Sequence, residues 1–306
     1  MSVRVGFFPS NNSLWVLRHR GILERSIPDV EWVDLRDLPA GDRPAPTEGL
    51  PSVHGDHLFD GGYDFIGTGS TPPVTAQGKG HDIVYVAISG PRHENGRLVV
   101  HEDSPITSLA DLAGRRVALG HGSWQTTLLL FALDRAGLTW KDIEPVDAYD
   151  NAAQLFLDRQ VDAWVGSYPA LTRVEREAPI RELVETEGLF SHRSLWFTRR
   201  DFAEEHPEQL AAIVAALQES DARIQDDYRA AAELFAADDG GDVDAWEHAL
   251  RTRPFGLHPV TEDFVAEQQR AADLFHASGL IDRKITVSEA VLPEIARLVE
   301  STRPRG

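Results

Sequence analysis

RVALGHGSWQTTLLLFALDRAGLTWKDIEPVDAYDNAAQLFLDRQVDAWVGS, residues 116–167, decides the fold class. RVALGH at 116–121 is a short apolar run closed by Gly120-His121-Gly122, the pattern of a buried strand. Ser123 can cap a helix that the spacing predicts from Ser123 to about Ala136. A second helix is expected near 151–159, and DAWVGS at 162–167 reads as another strand. Strands alternating with helices predict an α/β chain with a parallel sheet.

The same alternation extends in both directions. Upstream, VRVGFF at 3–8 predicts a strand, Pro9-Ser10-Asn11-Asn12-Ser13 a loop, and Leu14, Leu17, Ile22 and Leu23 a helix closed near Gly21. VEWVDL at 30–35 is a further strand, residues 36–60 are too rich in Pro, Gly and Asp for a regular element, and YDFIGTG at 63–69 leads into a helix opened by Pro72-Pro73. IVYVAIS at 83–89 and GRLVVH at 96–101 complete the upstream strands. Downstream of LWFTRR at 195–200, one helix is expected from 206 to the break at Asp238-Asp239-Gly240-Gly241-Asp242. Another runs from Thr261 to Gly279, and a last one covers roughly 288–301.

With 306 residues, 42% of them hydrophobic, the chain can bury a full core and has the length of about two domains. Its formal net charge of −19 disfavours polyanionic partners, so no nucleic acid is expected. The lack of any cysteine removes disulfides, thiolate nucleophiles and Cys-ligated metals. Met1 runs directly into SVRVGFFP without a secretory signal, and no stretch has the length of a membrane helix. The chain as written is expected in the cytoplasm, or in the periplasm if a leader has been removed, with no insertion into the membrane.

Three strand-to-helix junctions carry the chemistry: Ser10, Asn11 and Asn12; Gly69, Ser70 and Thr71; Ser123, Trp124 and Gln125. Each places small or polar residues and unpaired N–H groups at a helix start, where the macrodipole favours an anion. No GxxxxGK[ST] loop, GxGxxG turn or GxSxG elbow occurs, so nucleotide binding and α/β-hydrolase chemistry lack their motifs. His54 and His57 are the nearest approach to a metal pair, but neither HExxH nor a second cluster accompanies them, and no metal or other cofactor is expected. Trp124, Trp164, Tyr168 and Trp196 stand near strand ends or helix starts, and an aromatic wall around an organic group is the functional reading of them.

TGSTPPVTAQGKGHDIVYVA at 68–87, HEDSPITSLADLAGRRVALGHGSWQTTLLLFALDRAGLTWKDIEPV at 101–146 and VDAWVGSYPAL at 161–171 resemble the aliphatic sulfonate-binding proteins. So do FTRRDFAEEHPEQL at 197–210 and EQQRAADLFHASGLIDRKI at 267–285. That family comprises substrate-binding components of ABC importers and is related to nitrate- and taurine-binding proteins. The resemblance spans nearly the whole chain and implies a two-lobed type 2 periplasmic-binding fold with a ligand cleft between the lobes. Lobe 1 would be residues 1–89 plus 196–306 and lobe 2 residues 90–195, with crossings near 88–97 and 188–196. By position, the ligand loops would be Ser10 to Asn12, Gly69 to Thr71, Ser123 to Gln125 and Ser167-Tyr168, with Trp196 near the hinge.

The resemblance thus implies a protein that binds a small organic anion, sulfonate-like or carboxylate-bearing, with an ABC permease and ATPase as partners. With no Arg in these loops, the expectation is that neutral donors and helix dipoles hold the anion. Two departures support an alternative, a cytoplasmic decarboxylase or desulfinase-like enzyme on the same fold: the family's leader is missing, and residues 36–60 form a Pro-rich insertion. In that alternative His54 or His57 is the acid–base group. The desulfinase of this fold uses a first-loop cysteine, and Phe8 stands at the matching position.

Overall fold

Along the strands, successive apolar side chains go to opposite sides of a sheet and into two different hydrophobic clusters. Val84 and Val86 enter one cluster while Ile83 and Tyr85 enter the other, and Val99 is likewise separated from Leu98 and Val100. Sheets buried on both faces require the continuous apolar runs seen in this sequence. The computed structural model describes residues 2–38, 44–51, 57–239 and 241–302.

Among the described residues the strands form two five-stranded sheets. In the first, β2 (Glu31–Asp34), β1 (Arg4–Phe7), β3 (Phe65–Thr68), β10 (Leu195–Arg199) and β4 (Ile83–Ile88) lie in that order. In the second the order is β7 (Glu144–Asp147), β6 (Arg116–Leu119), β8 (Ala163–Ser167), β5 (Gly96–His101) and β9 (Ile180–Glu185). The sequence pattern predicts parallel sheets, and this holds for β2-β1-β3 and β7-β6-β8 only. β10 runs antiparallel to β3 and β4, and β5 antiparallel to β8 and β9, so both sheets are mixed. The cause is the chain path: after β4 the chain leaves the first sheet for the second, and after β9 it returns.

The two connecting segments are tied side by side. Ser89 N–H donates to the Ser194 carbonyl at 2.9 Å, Arg92 N–H to the Ser191 carbonyl at 3.0 Å, and the Thr186 hydroxyl to the His93 carbonyl at 2.6 Å.

Helices cover the sheets. α1 (Asn12–His19), α2 (Thr71–Gly78), α3 (Trp124–Arg135) and α4 (Ala152–Leu157) follow strand ends, and α5 (Ala170–Glu177) follows β8. Gly21, at φ 58°, lets the chain turn sharply just beyond α1, where other residues would be strained. After α6 (Arg200–Glu205), the single helix expected from 206 is two, α7 (Pro207–Asp226) and α8 (Tyr228–Asp239). Asp227 leaves helical geometry at φ −148° and its carboxylate accepts the Ala230 N–H at 2.9 Å, so it ends one helix and caps the next. α9 (Val243–Arg251) and α10 (Glu262–Ala277) follow their caps Asp242 and Thr261. α11 (Pro293–Ser301) starts later than expected, at the proline whose missing N–H suits a first turn. No helix among the described residues is long and apolar enough to cross a membrane.

Candidate functional site

The starts of α1, α2 and α3 meet at the seam between the two sheets. At α1, the Asn11 Oδ1 accepts the Leu14 N–H at 3.0 Å, and the Asn12 Nδ2 donates to the Pro9 carbonyl at 2.8 Å. At α2, the Thr71 hydroxyl donates to the Ser123 carbonyl at 2.6 Å, and the Ser70 hydroxyl reaches Thr127 at 2.9 Å. These bonds join a helix of the first sheet to one of the second. At α3, the Ser123 hydroxyl accepts the Gln125 N–H at 3.2 Å and donates to the Gly120 carbonyl at 2.7 Å, while the Gln125 Oε1 accepts the Gly120 N–H. At Gly69 the two sides approach closely, because a Cβ there would stand 2.9 Å from that of Trp124. Ser10 and Tyr149 face each other across the seam, their hydroxyls 3.5 Å apart.

Aromatic residues divide into those that line a cavity at the α1 start, beside the connecting segments, and those engaged elsewhere. Trp196 is buried, lines the cavity and has an unpartnered Nε1–H. Trp124 stacks on His192 with centroids 3.8 Å apart. Burial beside Arg92 and Arg253 holds His192 well below the usual imidazole range, so it is a neutral platform. The Tyr168 ring meets His248 edge-on at 4.6 Å, and its hydroxyl donates to Glu175 at 2.8 Å. Ser167 is the last residue of β8, opposite Gly96. Trp164 belongs to the core, 5.9 Å from Phe156.

One cavity, of about 10 Å³, has room for about a single water-sized atom. Asn12 and Ser13 of α1, Ser89, Arg92, Ser194, Trp196, Asp221 of α7 and the segment Arg253-Pro254-Phe255 line it. The loops themselves contain no arginine, but the fold places Arg253 against Ser10 and Arg92 beside Asn12 in the lining of this cavity, a proximity the sequence reading did not anticipate. Arg253 donates from Nη1 to the Ser10 carbonyl at 3.1 Å, and Arg92 from Nε to the His192 carbonyl at 2.9 Å. Burial and their mutual repulsion lower Arg92 below the usual guanidinium range, and burial pushes Arg253 down to about 10, so Arg253 stays charged at neutral pH. Burial raises the Asp221 carboxyl to about 7, although it accepts the Gly256 N–H at 2.8 Å. No local signal in sequence marks Arg92, Arg253 or Asp221, since their position at α1 is purely tertiary.

Part of the Pro-rich 36–60 stretch lies on the second-sheet side of the molecule. Trp140 Nε1 donates to the Pro46 carbonyl at 2.9 Å, His121 Nε2 lies 2.7 Å from the Gly49 carbonyl, and the His121 and Trp140 rings stack at 5.5 Å. Residues 44–51 therefore bridge the two halves of the chain beside the Gly120–Ser123 turn. His54 lies outside the described residues. His57 is half-buried, its carbonyl accepts the Gly62 N–H at 2.8 Å, and it is not among the residues that line the cavity. Among the described residues no group of three or more His, Asp or Glu is placed to hold a metal ion.

Comparison with known proteins agrees with this architecture. A relative from Escherichia coli (strain K12), named for aliphatic sulfonates binding, is 29% identical over 294 residues, 95% of this chain and 88% of the relative. The crystal structure of the periplasmic aliphatic sulphonate binding protein SsuA from Escherichia coli superimposes with a TM-score of 0.81 at 28% identity, covering 95% of this chain and 92% of that one. The alkanesulfonate-binding protein SsuA from Xanthomonas axonopodis pv. citri, bound to MOPS, gives the same TM-score and identity over 95% of this chain and 98% of its own. The fold is thus the two-lobed periplasmic-binding fold expected from the sequence. The profile of the family described as NMT1/THI5 like matches residues 51–229, more than half of the chain. This chain belongs to the NMT1/THI5-like family.

Proposed function

We propose that this chain is the substrate-binding component of an ABC-type uptake system and captures a small organic anion, sulfonate-like or carboxylate-bearing, between two lobes. Lobe 1 comprises residues 1–89 and 196–306 and lobe 2 residues 90–195. The carrying observation is the bonding of the α2 start to the α3 start, Thr71 to Ser123 and Ser70 to Thr127, by two helices that follow strands of different sheets. Such a seam can open about the paired 89–95 and 186–194 segments and close on a ligand, which desolvates the anion among N–H and hydroxyl donors. Ser10, Asn11, Asn12, Gly69, Ser70, Thr71, Ser123, Trp124, Gln125, Ser167, Tyr168 and Trp196 form the ligand's surroundings in the open-to-closed cycle. The names of the similar proteins, which specify sulfonates and a periplasmic location, support the ligand class and an extracytoplasmic site of action. A permease and an ATPase are the partners this role requires.

Thermal unfolding of the purified protein with ethanesulfonate, MOPS, nitrate and benzoate tests the reading. A ligand at 100 times its Kd stabilises by about 2.7 kcal/mol, a rise of a few degrees in Tm. A sulfonate that raises Tm and is recovered unchanged by mass spectrometry is the expected result. Recovery as a cleaved product would instead identify an enzyme.

A further inference from the structure

We propose that Arg253, with Arg92 behind it, is the specificity-determining anchor of the cleft. It receives a negatively charged oxygen of the ligand in the cavity at the start of α1, so the site selects for charge and not only for shape. This rests on the binding reading above and deepens it.

Four observations carry the proposal. First, Arg92 is buried and Arg253 half-buried, and neither has a carboxylate within ion-pair distance among the described residues. Arg193, on the neighbouring segment, differs in being acted on favourably by Glu267 and Asp263. An uncompensated buried cation is costly, and an anionic ligand removes the cost.

Second, two unpartnered donors belong to the residues lining this one cavity, Nε–H of Arg253 and Nε1–H of Trp196. The cavity's volume suits one ligand oxygen and not a carbon skeleton. Third, the Arg253 Nη1 bond to the Ser10 carbonyl fixes the guanidinium at the α1 start, where the helix dipole adds to its field. Fourth, a chain of net charge −19 repels small anions over most of its surface, so capture requires a local reversal of the field.

Asp221 is the acidic residue lining the cavity. Its Oδ2 is held by the Gly256 N–H and its Oδ1 is unpartnered. Burial raises it to about 7, so below neutrality it carries a proton that it can donate to the ligand.

The test is a matched pair of ligands, propanesulfonate and its neutral isostere propanesulfonamide, titrated calorimetrically into the full chain. Wild type should prefer the sulfonate by about 100-fold or more, and Arg253→Gln should reduce that preference at least about tenfold, the scale of one charge-assisted hydrogen bond. Arg253→Lys, which keeps the charge, should retain most of the preference. A structural role alone would weaken both ligands equally, and an unchanged ratio in Arg253→Gln overturns the proposal. Failure of wild type to bind either ligand overturns the binding reading along with it. A second readout needs no loss of the side chain: in 15N-arginine-labelled wild type, the Nε–H signal of Arg253, assigned by its disappearance in Arg253→Lys, should shift with sulfonate. A signal that stays in place at saturation contradicts the proposal.

Discussion

Asp221 shows how burial at one residue sets a pH dependence for the whole chain. Its carboxyl ionises at about 7 in the folded state, against an ordinary value of about 4 for an unfolded chain. The folded state therefore holds the proton more tightly, and the stability this confers is complete below pH 4 and lost as pH rises towards 7. The expected consequence is that Asp221→Asn, which still accepts the Gly256 N–H, gains stability relative to wild type between pH 5 and 8. The linkage bound on the gain is about 4 kcal/mol. Chemical denaturation of both proteins across that range measures it, and a constant difference between the two would refute the assignment. Trp196 and Asn12 present the complementary case, polar atoms that burial leaves without partners in the cavity Asp221 lines.

The 44–51 bridge is an element whose value can be measured in the same way. Trp140→Phe removes the bond to the Pro46 carbonyl and leaves the ring to stack on His121, so a loss of about 1 kcal/mol in unfolding free energy is expected. No change would mean that the bridge contributes nothing at equilibrium. Elements buried on both faces were readable in the sequence: GRLVVH at 96–101 is β5 to the residue, and Ser123 caps α3 as its position before an apolar run requires. β7 and β9 were not, because Glu144, Asp147, Arg181 and Glu182 give these edge strands the composition of loops. The break at Asp227 was hidden for the opposite reason, since the apolar spacing continues from α7 into α8. Among the three helix starts, those of α1 and α3 were legible because their caps, Asn11 and Ser123, are local, and that of α2 because Pro72-Pro73 suits a first turn. Arg92 and Arg253 were not, because only the tertiary fold brings Arg253 to Ser10 and Arg92 to the cavity that Asn12 lines.

At the scale of the molecule, two mixed sheets joined by two paired segments create a seam, and the seam gathers polar helix starts that each sheet alone would leave in water. Beside the seam, buried donors and Asp221 surround a small cavity that His57 does not line, and His192 behind Trp124 is neutral. The proposed function requires that a sulfonate bind in this seam. A crystal structure of the protein with 3-bromopropanesulfonate, phased on the bromine anomalous signal, tests it most directly. The expected result is a bromine peak between the sheets, with the sulfonate oxygens against Asn12, Ser123 and Arg253. A fully occupied ligand anywhere else on the molecule would contradict it.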